Sequence, residues 1–237
     1  MVESHSTLAR LVVVMCGMPA AGKTTAAARI HAAADGVLIR SCDVFQDLGI
    51  DVSAWVVRTR GFTHDVDAFQ RLRVAAYAEM ARRLTHALAQ DAALVIVDAV
   101  HGARASRDGV YALCERFGAT PVVIWCRCDD VEEIARRFAS RRGREHQPEH
   151  EASDLSVYKN VADHWQDPSA DRLPSGAPVP LIVFDTRRQR LQLPDGPAAA
   201  VALVRDALGP GQLRGPEGAA GVPAVPARGQ VPLTPRS

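Results

Sequence analysis

Apolar and polar positions along this chain fall into two alternating periods. Short, nearly continuous apolar runs occupy residues 11–16, 93–98, 121–127 and 179–184, with a briefer one at 37–40. Each is too short for a helix, and uniform apolarity is what a strand covered on both faces requires. Between the runs lie segments of helical period, at residues 22–34, 66–90, 104–117, 130 to about 142, and 197–208. In the longest of these, Leu72, Ala76, Met80, Leu84 and Leu88 recur at steps of four and predict one buried face. Val131, Ile134 and Phe138 predict another in the segment that opens at Asp130. Gly118 and Gly209 stand where helices should stop. Strands alternating with helices predict an α/β fold, with about five parallel strands and helices on both faces of the sheet.

The pattern ends near residue 208. Between residues 209 and 237, Gly and Pro supply twelve of 29 residues and no aromatic residue occurs, so this stretch reads as a disordered Gly/Pro-rich tail. Residues 1–208 read as one domain, and a hydrophobic content of 47% is ample for its core. A net charge of +1 gives no reason to expect duplex nucleic acid or a membrane surface as partner, while a small or single-stranded acceptor is compatible with it. Five cysteines, an odd number at irregular spacing, point to a reducing compartment. No signal peptide is visible and no apolar run is long enough to span a bilayer, so the expected location is cytoplasmic.

The first strand leads directly into Gly17-Met18-Pro19-Ala20-Ala21-Gly22-Lys23-Thr24, which is G-x-x-x-x-G-K-T, followed by Thr25 and an alanine-rich helix. Strand, glycine loop and helix is the context that makes this pattern a phosphate-binding loop. Loop amides and the helix N-terminus aim N–H groups at one point, and the helix dipole favours an anion there. Lys23 is positioned to reach the outer phosphates, and the Thr24 hydroxyl to ligate Mg²⁺. The chain holds 28 Lys and Arg residues, of which only Lys23 and Lys159 are lysines. A lysine at the position where a compact ammonium suits a phosphate cradle therefore stands out.

Ligands of an open parallel sheet bind at the carboxyl ends of its strands. Asp98 ends the third strand and suits the magnesium shell. Asp43 follows the second strand and is placed to take the proton of an acceptor hydroxyl. Asp185-Thr186, after the fifth strand, reads as a turn or a contact at the nucleotide edge. Arg136, Arg137, Arg141, Arg142 and Arg144 crowd one short segment, and Arg137 and Arg141 share a helix face. With Gly143 as hinge, residues 137–152 read as a lid whose arginines, Arg137 and Arg141 foremost, clamp a transferring phosphoryl group. His101 and Arg107 are minor candidates for holding an acceptor. The stretch from Trp55 to His64 reads as an acceptor-binding insert.

Together, the loop from Gly17 to Thr24, Asp43, the Val97-Asp98 strand end and the Arg136–Arg142 segment resemble the polynucleotide-kinase-like branch of P-loop kinases, the AAA_33-type kinases. Residues 152–158 and the Phe184-Asp185-Thr186 strand end are also similar to that group. The resemblance implies a P-loop NTPase fold and ATP–Mg²⁺ phosphorylation of a hydroxyl on a small molecule or a nucleotide or polynucleotide 5′-end. It implies Asp43 as base and the lid arginines as phosphate clamp. Seryl-tRNA kinase, zeta toxins and chloramphenicol phosphotransferase look similar at this level, which leaves the acceptor open. The alternative reading is a regulatory nucleotide switch that transfers phosphate only to water.

Overall fold

The structure is a computed structural model that describes residues 10–50, 66–141, 155–193 and 197–209, with the backbone alone at residues 66–70, 141, 155–157 and 160. In chain order the elements are β1 (Leu11–Cys16), α1 (Lys23–Ala33), β2 (Val37–Arg40), α2 (Ser41–Asp47), α3 (Val66–Ala89), β3 (Leu94–Asp98) and α4 (Arg104–Phe117). There follow β4 (Thr120–Arg127), α5 (Val131–Arg141), α6 (Leu155–Asp163), β5 (Leu181–Asp185), β6 (Arg190–Gln192) and α7 (Ala198–Leu208).

The sheet runs β2-β3-β1-β4-β5-β6. Its first five strands are parallel, and β6 joins the edge antiparallel to β5. Strand β1 is central, with Val13 in register with Ile96 on one side and Val122 on the other. Successive residues of β1 serve opposite faces. Val12, Val14 and Cys16 enter a core with Met80, Leu84 and Leu88 of α3 and Val110, Tyr111 and Cys114 of α4. Val13 and Met15 enter a second core with Ile30 of α1 and Val204 and Leu208 of α7. The continuous apolarity of the strand is the consequence of being covered twice.

The expected α/β architecture is therefore present, with five differences, the first being an additional helix, α6, at Leu155–Asp163. The sheet has six strands, because Arg190-Leu191-Gln192 turns back on β5 through a tight loop. That turn contains no glycine and places Gln189 at φ +53°, so it lacks the usual hairpin signature. The fifth strand begins at Leu181 rather than residue 179. Ser41 to Asp47, expected as strand end and loop, forms a helix that buries Val44. Val131, expected inward, is 59% exposed, whereas Ile134 and Phe138 are buried. Val131 is the first residue of α5, one turn beyond the part of the helix that meets the core. Asp130 caps that end by accepting from the amides of Glu132 (2.9 Å) and Glu133 (3.1 Å). The expected insert at residues 55–64, the lid beyond Arg141 and the tail after Gly209 lie outside the described residues.

Candidate phosphate-binding site

The loop between β1 and α1 is built by close backbone approach. Gly17 has φ +150°, and a Cβ there would stand 2.4 Å from the Cys126 carbonyl oxygen of β4. Its amide donates to the Val100 carbonyl at 3.1 Å, fixing the loop entrance to the tip of β3. Ala20, at φ +61°, takes a left-handed conformation uncommon for a residue with a side chain. Gly22, at φ +93°, closes the loop with its Cα against Thr186, where a Cβ would lie 3.3 Å from that side chain. Helix α1 then begins with no acidic residue in its first turn and no side-chain cap on its N-terminus. The positive end of its dipole is thus left for an external anion.

Lys23 is 8% exposed, and its ammonium donates to the Met18 carbonyl at 2.8 Å, arching over the loop. Asp98 ends β3 at 3% exposure, in register with Met15 and with Arg40. The Thr24 hydroxyl lies close enough to its carboxylate to favour the ionised form. Burial raises the pKa of Asp98 above the usual carboxylate range, and the Lys23 charge and the Thr24 hydroxyl work in the opposite direction. Asp43 lies in the first turn of α2 and is gripped bidentately by Arg40, Nε to Oδ2 at 2.8 Å and Nη2 to Oδ1 at 2.7 Å. That bond to Asp43 is the main cause holding the Arg40 guanidinium above its ordinary pKa. Asp43 is also close enough for its charge to oppose ionisation of Asp98. The structure thus gathers Lys23, Thr24, Asp98 and Asp43 at one end of the sheet, on residues from β1–α1, β3 and α2.

Arg137 of α5 reaches the same loop from the other side. Its Nε donates to Glu133 Oε1 at 2.6 Å, and its Nη1 donates to the Ala20 carbonyl at 3.1 Å and to the Thr186 hydroxyl at 3.0 Å. Thr186 in turn donates to the Arg127 carbonyl at 3.1 Å. One threonine after β5 therefore ties together the end of β4, the α5 arginine and the glycine that closes the loop. Thr186 reads from the sequence only as a turn or nucleotide-edge residue, since its three contacts come from segments remote in sequence. Asp185 beside it accepts from the amides of Arg187 (3.1 Å) and Arg188 (2.9 Å), which makes it a turn residue. The side chain of Arg141 lies outside the described residues, as do Arg142 and Arg144. Thr25 faces solvent.

The two minor acceptor candidates are not available to a ligand. His101 is 1% exposed, with Nδ1–H donating to the Met15 carbonyl at 2.9 Å. Burial lowers its pKa to about 4, so the ring is neutral. Arg107 is fully buried, bonded to Asp171 at 2.6 and 3.1 Å and to the His101 carbonyl at 2.8 Å. Asp171 also accepts from the Tyr111 hydroxyl at 2.7 Å. These residues brace the loop after β3 from below.

A loop of this form on the central strand of a 2-3-1-4-5 parallel sheet defines a P-loop NTPase fold. The chain belongs to the AAA_33 family, described as an AAA domain, which matches residues 12–164. No curated protein matches it. Among solved structures it is similar to a protein from Chloroflexus aurantiacus whose kinase assignment is provisional, at 17% identity and a TM-score of 0.55, covering 84% of this chain and 98% of that one. It is similar to a sugar kinase from Janibacter sp. HTCC2649, at 18% identity and a TM-score of 0.51, covering 86% and 97%. It is similar also to Kti12 of Chaetomium thermophilum in complex with ADP-AlF3, at 21% identity and a TM-score of 0.50, covering 83% and 98%. At these identities the likeness is one of fold. No helix among the described residues is long and apolar enough to cross a membrane.

Proposed function

We propose that the protein is an ATP-dependent kinase that transfers the γ-phosphoryl group to a hydroxyl of a small molecule or of a nucleotide or polynucleotide 5′-end. The observation that carries this reading is Asp43. A carboxylate held in a fixed orientation by Arg40 stands at the strand end beside Asp98, next to a P-loop. A nucleotide switch has no need of a second oriented carboxylate there; a kinase has.

In this reading the loop amides, the α1 N-terminus and Lys23 receive the triphosphate, which displaces the Met18 carbonyl from the Lys23 ammonium. The Thr24 hydroxyl and the Asp98 carboxylate are hard oxygen donors at the α1 N-terminus, and such a pair fits Mg²⁺, which prefers one or two protein oxygens with phosphate and water. The ion would neutralise charge on the phosphate oxygens. Asp43 orients the acceptor hydroxyl and takes its proton. The acceptor oxygen bonds to the γ-phosphorus as the bond to the β,γ-bridging oxygen breaks, and that electron pair leaves with ADP. Arg137, whose guanidinium rests against the Ala20 carbonyl, stabilises charge on the transferring oxygens, and Arg141 joins it when the lid closes. The Kti12 structure, which holds ADP-AlF3 on a similar fold, supports nucleotide binding.

A screen of sugars, antibiotics, nucleosides and 5′-hydroxyl oligonucleotides with radiolabelled ATP identifies the acceptor. With that acceptor, Asp43→Ala is expected to lower transfer by about 10²–10⁴-fold and to leave ATP affinity unchanged. Label released only to water across the screen, or unaltered transfer by the variant, would sink the reading.

A further inference from the structure

Thr186, the residue that follows β5, is 7% exposed and stands where three parts of the site meet. Its amide and its hydroxyl both donate to the Arg127 carbonyl at the end of β4, at 2.9 and 3.1 Å. Its Cβ and γ-methyl pack against Gly22, where an added Cβ would stand 3.3 Å from either. Its own carbonyl accepts from the Gln189 side-chain amide at 2.5 Å and from Arg137 Nη2 at 3.5 Å.

A hydroxyl has a single proton to donate. That of Thr186 goes to the Arg127 carbonyl, so toward Arg137 the same oxygen is purely an acceptor, receiving Nη1–H at 3.0 Å. Glu133 takes the Nε proton at 2.6 Å, and the Ala20 carbonyl takes Nη1–H at 3.1 Å. With the bond from Nη2 to the Thr186 carbonyl, four hydrogen bonds define the plane of the guanidinium as well as its position.

These anchors are not equivalent. Glu133 sits four residues earlier on α5 and travels with the arginine. Ala20 belongs to the phosphate loop itself. Thr186 refers the guanidinium to the sheet, because the Arg127 carbonyl that holds its hydroxyl is on the strand whose last residue pairs in register with Asp185. A charge that stabilises a transferring phosphoryl group acts best when it is already in place and has no reorganisation left to do. Small errors of placement are costly in such a step.

We propose that Thr186 is a positioning residue for phosphoryl transfer: its hydroxyl oxygen, locked to the end of β4, holds the Arg137 guanidinium where the transferring oxygens will stand. The proposal rests on the reading of Arg137 as the group that meets those oxygens, and it requires no particular acceptor.

Equilibrium dialysis of the full chain with labelled ADP and Mg²⁺, with and without aluminium fluoride, tests it. Aluminium fluoride beside ADP stands in for the phosphoryl group in mid-transfer, and the wild type is expected to bind that complex about tenfold or more tighter than ADP alone. Thr186→Val keeps the methyl against Gly22 and removes the oxygen. It is expected to weaken the fluoride complex about tenfold, the scale of one hydrogen bond to a charged group, and to leave ADP within about twofold. Thr186→Ser keeps the oxygen and is expected to remain within about threefold of the wild type for both. In an Arg137→Ala background, Thr186→Val is expected to cost nothing further, because the two residues act through one contact. Should valine prevent folding, Thr186→Ala compared with Thr186→Ser isolates the same oxygen. The proposal is overturned by a fluoride complex that survives loss of the hydroxyl, by equal losses for ADP and its fluoride complex, by an effect of Thr186→Val that persists without Arg137, or by a wild type that does not distinguish the fluoride complex from ADP. No acceptor enters the dialysis, so failure of the kinase reading is seen separately, as the absence of labelled product in the acceptor screen.

Discussion

His101 shows what a buried titratable residue does to this fold. Its pKa falls from 6.5 to about 4 because burial penalises the imidazolium. Between those values the unfolded chain binds a proton that the folded chain refuses. Stability attributable to this residue is therefore complete above about pH 6.5 and is lost as the pH drops toward 4, by on the order of 3 kcal/mol. His101→Asn suits the φ of +46° at this position and removes the titration. Urea unfolding at a series of pH values is expected to give a shallower decline in acid for the variant than for the wild type; parallel declines would refute the assignment. Nothing in the sequence marked His101 as buried. A loop histidine is ordinarily exposed, and the carbonyl it bonds belongs to Met15, 86 positions away.

At the scale of elements, the ion pair between Arg107 of α4 and Asp171 joins that helix to the segment that precedes β5, with side chains 0% and 1% exposed. A charge that has lost its partner inside a protein is far more costly than the intact pair is beneficial. Asp171→Ala leaves Arg107 stranded and the Tyr111 hydroxyl without its acceptor. It is expected to destabilise the protein by about 3–5 kcal/mol, lowering Tm by about 10 °C in calorimetry. A double replacement of Arg107 and Asp171 by Met and Leu should recover most of that loss. The elements that were legible from sequence are those whose pattern is complete within themselves. Strands β1, β3 and β4 are apolar through their interiors because both faces are covered, and α3 carries its buried residues at steps of four. The helix α2 and the strand β6 were not legible, being seven and three residues long and held by their neighbours rather than by a strong local pattern. The same division applies at the site. The loop, Asp43 and Asp98 follow from motif and strand ends. The bond from Arg137 to Ala20 joins residues 117 positions apart and exists only once the sheet has formed.

For the molecule as a whole, ligand binding and folding are linked. ATP with magnesium at a hundred times its Kd is expected to add about 2.7 kcal/mol to stability and to raise Tm by about 5–10 °C. Lys23→Ala should abolish most of that shift, since the ammonium is the compact charge at the centre of the loop. A variant that retained the full shift would remove the loop from nucleotide binding. The architecture also separates two jobs that the glycines of the loop perform. Gly17 touches the sheet before it touches any ligand: a single added methyl would stand 2.4 Å from a carbonyl of β4 and force the central strand from its neighbour. Loss of activity on replacing Gly17 would consequently be a report on strand spacing and would say nothing of nucleotide contact. The functional genetics of this loop is better read at Lys23 and Thr24, whose side chains can be exchanged without moving the sheet.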